Sequence, residues 1–120
     1  MGTANDLTGL VRDWLTVPDV ADRLGVDVTK VRQLLREGKL LAVRAGEGQP
    51  LMIPALFVDE DHIVKGLTGT INLFRDNKFA DAEAIRWLYT PDDSLPGSPI
   101  QALVENRGTE VKRRAQAEAF

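Results

Sequence analysis

The chain has 120 residues, 43% of them apolar, a formal net charge of −3 and no cysteine, which suits one small core without staples. The lack of cysteine excludes disulfides and thiolate metal sites and fits a reducing cytoplasm, where the protein is expected to stay. No apolar run approaches the roughly 18 residues of a membrane span, and the first residues lack the charged and hydrophobic regions of a secretory signal, so no membrane partner is expected.

Residues 1–6 are polar and without periodicity, and read as a flexible tail. Leu7, Leu10, Val11, Trp14 and Leu15 recur at steps of three and four, which predicts a first amphipathic helix with Trp14 as its packing anchor. Thr16 is an N-cap candidate with Asp19 three residues on, and Pro18 falls in the first turn, where its missing donor costs nothing. A helix from about Val17 to Leu24 follows. After a turn at Gly25, a second helix should run from about Val28 to Glu37, capped by Asp27 or Thr29 and ended by a left-handed Gly38.

Val17 to Arg36 carries the spacing of a helix-turn-helix. Ala21 allows the second helix a close approach, Gly25 supplies the positive backbone angle of the turn, and Val20, Leu24, Val26, Val31 and Leu34 supply a shared core. Val31, Leu34 and Leu35 point inward, which leaves Thr29, Lys30, Arg32, Gln33 and Arg36 for the outer face. Arg can grip guanine and Gln adenine in bidentate fashion, while Thr29 and Lys30 suit phosphate. An acidic total argues against nucleic acid, but charge is local: between Val28 and Arg44, five cations including Lys39 stand against Glu37 alone. One basic face on an acidic protein is the pattern of a double-stranded DNA reader.

Leu40 to Arg44 and Leu51 to Val58 read as two strands joined by a Gly- and Pro-containing loop, a hairpin in the position of a wing. Arg44 at its base and Gln49 near its tip are candidates for the DNA backbone or minor groove; the loop also reads as an ordinary turn. Pro54 implies an edge position for the second strand. The fold class expected is mainly α with a small β-hairpin wing: a winged helix-turn-helix over residues 7–60, then a helical region over 61–120 that packs on it.

In that second half, Gly66 and Gly69 weaken any helix before Thr70, and Asn77 with Lys78 makes a turn. A helix follows from about Asp81 to Tyr89, with Asp81 as N-cap and Pro91 ending it. Ala84, Ile85, Trp87 and Leu88 give it an apolar face. The final helix, about Gly108 to Phe120, carries Val111 and Ala115 on one side and Lys112, Arg113 and Arg114 on another, either an added phosphate contact or a solvated end. The lone His62 beside Asp59, Glu60 and Asp61 invites thought of a metal or acid-base site, yet contiguous acids at a connection more often cap and solubilise. There is no phosphate loop with a lysine, no nucleophile elbow and no Cys or His ligand spacing. Neither an enzyme nor a metal or cofactor is expected.

The segment TVPDVADRLGVDVTKVRQLLREGKLLAVR, Thr16 to Arg44, resembles the compact MerR-like and excisionase-like winged helices. The whole chain, most specifically the stretch EAIRWLYTPDDSLPGSPIQALVENRGTEVKRRAQ, resembles an actinobacterial family of winged-helix DNA-binding proteins associated with Ser/Thr protein kinase signalling. The resemblance implies DNA binding without catalysis, with a Ser/Thr protein kinase as a partner and a threonine near the N-terminus as its substrate. Thr3 and Thr8 are the candidates, with Thr8 at the start of the first expected helix. A phosphate there would oppose DNA through added negative charge. Trp87, Leu88, Pro91, Leu95, Gly97, Pro99, Ile100 and Leu103 also resemble the toxin-binding tail of Xre-type antitoxins. That implies a rival reading, a module that grips a protein partner, although the same residues would serve to fold the tail over the core. No heptad marks a dimer, and a monomer or weak homodimer is expected.

Overall fold

A computed structural model describes residues 7, 9–44, 48–95 and 97–119. In chain order, the elements are β1 (Trp14–Thr16), α1 (Val17–Leu24), α2 (Val28–Arg36), β2 (Val43–Arg44), β3 (Leu51–Pro54), a 3-10 turn (Ala55–Phe57), β4 (Val58–Asp59), β5 (His62–Ile63), α3 (Leu67–Asp76), α4 (Asp81–Tyr89), α5 (Pro99–Val104) and α6 (Gly108–Ala119). The fold is mainly helical with a small antiparallel sheet, as the sequence suggests.

The expected helix does not continue to Leu15. Leu7 is helical, its carbonyl accepting from the Leu10 and Val11 amides at 2.9 and 2.8 Å, and past Val11 the chain extends into β1. Steps of three and four also suit a turn followed by a strand: Leu7, Val11 and Leu15 are all buried here, while Trp14 and Thr16 flank Leu15 half-buried. The aromatic and β-branched run Trp14 to Val17 suits a pleated surface better than a helix. β1 pairs with β3 (Leu15 opposite Ile53) and β2 pairs with the other edge of β3 (Val43 opposite Met52). β3 is therefore the central strand, in the order β1-β3-β2. Pro54 does not mark an edge; it is the last residue of β3, where the next ladder donor is Ala55, whose amide reaches the Asp13 carbonyl at 3.0 Å. β3 also stops at Pro54 rather than running to Val58, and β2 covers only Val43 and Arg44 of the expected strand.

α1 and α2 match the expected helix-turn-helix closely, because local chemistry fixes their ends. The Thr16 hydroxyl accepts from the Asp19 amide at 3.2 Å and the Asp19 carboxylate accepts from the Thr16 amide at 3.0 Å, a reciprocal capping box. These bonds, the Thr16 backbone first, hold the Asp19 carboxyl below its usual range. Gly25 takes φ +70 at the turn, and Asp27, rather than Thr29, caps α2 by accepting from the Lys30 amide at 2.9 Å. α2 ends in a Schellman motif: the Gly38 amide donates to the Leu35 carbonyl, and the Lys39 amide to Leu34, with Gly38 at φ +73. Val20, Val31 and Leu34 are buried and Leu24 and Leu35 half-buried against them. Val26 departs from the expectation, because the left-handed Gly25 turns it outward to 37% exposure.

The second half continues the same core. Phe57, Val58, Val64, Leu67, Ile71, Phe74, Ile85, Leu88, Ile100 and Leu103 belong to one buried cluster with Val20, Val31 and Ile53. α3 begins at Leu67, earlier than Gly66 and Gly69 suggested, because a left-handed Gly66 (φ +89) starts the helix and Gly69 is tolerated inside it. Asp81 is not the N-cap of α4. Ala80 occupies that position, its amide donating to Glu83 at 2.8 Å, while Asp81 receives the Arg75 guanidinium through two bonds of 3.2 and 3.0 Å. Phe74 sits between Phe79 and Trp87, with ring centroids 4.9 and 5.1 Å away. Leu88, Leu95, Pro99, Ile100 and Leu103 of the antitoxin-like pattern are buried, so the tail folds back and completes the core.

Candidate nucleic-acid interface

The expected reading face is carried by α2. Val31 and Leu34 fix its inner side against α1, and the 3.6-residue period then turns Thr29, Lys30, Arg32 and Arg36 outward, all exposed, with Gln33 half-buried beside them. Arg32 and Arg36 have no ion pair or hydrogen bond with another described residue. Both guanidiniums keep their full donor sets for an external acceptor. No acidic side chain lies within the helix itself.

Lys39 and Arg44 are already engaged, as is Gln33. Glu37, just past the end of α2, accepts from the Gln33 side-chain Nε2 at 3.0 Å and pairs with Lys39 at 3.5 Å. The Gln33 hydrogen bond, then Lys39, keeps the Glu37 carboxyl below its usual range. Gln33 must leave that carboxylate to reach a base, whereas Arg32 and Arg36 need break nothing. Arg44 is exposed at the end of β2 and donates to the backbone carbonyl of Gln49 across the mouth of the hairpin. This bond closes the loop and leaves the Gln49 side chain outside. Thr3 and Thr8 fall outside the described residues.

The sequence reading missed the exposure of two apolar side chains at and just before the start of α2. Val26 and Val28 are 37% and 40% exposed, side by side with Thr29 and Lys30, and an exposed valine at such a position suits the methyl group of thymine. Periodicity gives no warning of this, because Val28 keeps the i, i+3 and i+7 spacing to Val31 and Leu35 of the inner stripe. Also missed was the contact between α2's end and the second half: the Thr68 hydroxyl donates to the Lys39 carbonyl at 3.3 Å, and Asn72 and Arg75 close over Gly38. This contact joins elements about 30 residues apart, and no local signal reveals it.

The remaining candidates lie elsewhere. Lys112, Arg113 and Arg114 are exposed on α6, and Arg114 donates to Ser94 at 2.9 Å. His62 sits in the tight β4–β5 hairpin, 3.3 Å from Asp61 and 3.9 Å from Asp59, where Glu60 takes φ +57. Among the described residues, no cluster of three or more His or acidic side chains has the arrangement of a metal site. No described helix is long and apolar enough to cross a membrane.

A helix-turn-helix whose second helix is followed by a β-hairpin, with the sheet closed by a strand before the first helix, defines the winged helix-turn-helix class. Residues 2–58 match the family described as DNA-binding protein Rv2175c, wHTH domain, and residues 64–119 match the Rv2175c C-terminal domain of unknown function. The chain is 43% identical over 117 residues to the DNA-binding protein Rv2175c of Mycobacterium tuberculosis (strain ATCC 25618 / H37Rv), across 87% of this chain and 79% of that one. The NMR structure of Rv2175c superimposes with a TM-score of 0.81 at 39% identity, covering 90% of this chain and 82% of that chain. The chain belongs to the Rv2175c family of winged helix-turn-helix proteins.

Proposed function

We propose that this protein binds double-stranded DNA by inserting α2 into the major groove, with the β2–β3 hairpin as the wing, and acts as a non-catalytic transcriptional regulator. The observation that carries the reading is the pair Arg32 and Arg36, exposed on one face of α2 without an acceptor among the described residues. The family relationship points the same way, since its namesake is a DNA-binding protein. In this reading Arg32 and Arg36 contact base edges, Thr29 and Lys30 contact phosphate, and Gln33 and Lys39 are released from Glu37 as the duplex docks. Arg44 and Gln49 present the wing to the backbone. Residues 7–60 hold the interface and residues 61–120 brace it.

The test is a titration of labelled duplex with Arg32→Ala and Arg36→Ala variants at low salt. Each loses about 1–3 kcal/mol if it meets a base. A lost phosphate contact weakens all sequences alike and flattens the logarithmic salt slope by about 0.9. An unchanged affinity in the double variant defeats the assignment. Regulation by a Ser/Thr protein kinase through Thr3 or Thr8 rests on electrostatics: a phosphate adds up to two negative charges to a chain that must dock on an anionic duplex. The same titration with the phosphorylated chain should show weaker binding. The antitoxin-like reading has less to stand on, because most of the motif's apolar side chains are buried in this protein's own core.

A further inference from the structure

A groove of about 730 Å³ runs between α3 and α6 in the second half, within the range of small-molecule sites. Its floor is apolar, from Leu73, Leu103 and Ala115, and its rim is polar. Both helices start beside Leu103: a methyl group added to Gly66 or Gly108 would lie 3.0 or 3.9 Å from its Cδ2. Lys65, just before α3, and Lys112, one turn into α6, border the groove near this end and are exposed, with no ion pair or hydrogen bond to another described residue. The carboxylate in the lining, Asp76, stands at the far end of α3, about 14 Å along the helix. The groove therefore has a cationic end, an apolar middle and an acidic end.

Gly69 adds an independent observation. It sits inside α3 with no positive φ, and a Cβ there would meet nothing within 4 Å. Glycine weakens a helix interior, and neither backbone conformation nor internal packing requires it here. Its bare backbone lines the groove, and a glycine at such a place permits close approach by something outside the fold. The groove also touches the reading helix: Asn72 lines it while lying against Gly38, the residue that ends α2.

We propose that this groove binds a small anionic molecule, one carrying a phosphate, sulfonate or carboxylate group on an apolar body, with Lys65 and Lys112 holding the anion and Leu73 and Leu103 the body. Occupancy passes through Asn72 to Gly38 and so to the end of α2. That it regulates DNA binding rests on the proposed function; that the groove binds such a ligand does not.

The probes are 8-anilinonaphthalene-1-sulfonate and its neutral counterpart N-phenyl-1-naphthylamine, which has the same ring system without the sulfonate. Both are titrated, without DNA, into the ¹⁵N-labelled full chain. The proposal expects saturable amide shifts at Gly66, Gly69, Thr109 and Lys112, extending to Gly38 and Lys39, with the sulfonate binding at least tenfold more tightly. Lys65→Gln with Lys112→Gln should weaken the sulfonate at least tenfold and leave the neutral probe unchanged. Gly69→Leu, which has space for its Cβ, should fill the groove and block both probes while the chain stays folded. Shifts centred elsewhere, equal affinity for the two probes, or binding that survives both variants would overturn the proposal. So would lysine variants that weaken duplex binding but not the sulfonate, since the two cations would then serve DNA.

Discussion

Replacing Gly38 and Gly25 with alanine in separate variants separates a backbone cost from a packing cost. Both glycines end a helix of the motif in the left-handed region, at φ +73 and +70, where an alanine costs about 1 kcal/mol or somewhat more. Around Gly25 a new Cβ meets nothing within 4 Å, so Gly25→Ala should lose about that amount and no more. At Gly38 the Cβ would stand 3.0 Å from Nη1 of Arg75 and 3.1 Å from Oδ1 of Asn72. Arg75 cannot swing aside freely, because its Nε and Nη2 hold Asp81 at 3.2 and 3.0 Å. Relieving the overlap moves α3 or bends that pair, which adds about 1 kcal/mol, the lower end of overpacking costs, since both contacts are with side-chain ends. Gly38→Ala should thus lose about 2 kcal/mol. With about 2.1 cal/mol/K per residue of unfolding entropy, each kcal/mol lowers Tm by about 4 °C in a chain this size. Thermal unfolding followed by circular dichroism should place Gly25→Ala about 4 °C and Gly38→Ala about 8 °C below the parent. Equal losses would refute the contact between the end of α2 and α3.

Two further predictions concern the scaffold. Tyr89 is the chain's single tyrosine; its hydroxyl accepts from the Leu56 amide at 3.2 Å, and burial pushes its pKa up to about 12. The neutral phenol is the form favoured by folding, so its contribution is complete below pH 10 and is lost as pH rises through about 12, by roughly 3 kcal/mol at most. Absorbance at 295 nm should titrate near 12 in the folded protein, and Tyr89→Phe should shed that alkaline loss; a midpoint near 10 with the fold intact would contradict the burial. Thr16→Ala removes one half of the capping box and should cost about 1 kcal/mol in urea unfolding; a neutral result would mean Asp19 alone caps α1.

The parts legible in the sequence are those whose ends are set by neighbouring residues. Thr16 with Asp19, Asp27 with Lys30 and the left-handed Gly25 and Gly38 fix α1 and α2 within a few residues of chain, and those helices stand where the spacing put them. β1 was illegible because Trp14 to Thr16 is a strand only by virtue of β3, almost 40 residues later, and its apolar spacing also fits a helix. Pro54 was misplaced for the same reason, since a central strand with two partners cannot be told from an edge without knowing the third strand. Of the site, the exposed cations of α2 followed from periodicity. The engagement of Gln33 and Lys39 by Glu37, and the clasp of Asn72 and Arg75 on Gly38, depend on side-chain reach and tertiary packing.

The central claim is that α2 and its wing form the reading surface. Mapping amide shifts of the ¹⁵N-labelled chain as duplex DNA is added tests it residue by residue. The account predicts that shifts concentrate on Val26 to Arg36, Arg44 and Gln49, and that Arg32→Ala with Arg36→Ala abolishes them at the same DNA concentration. Shifts confined to α4, α5 and α6, with α2 undisturbed, would contradict it.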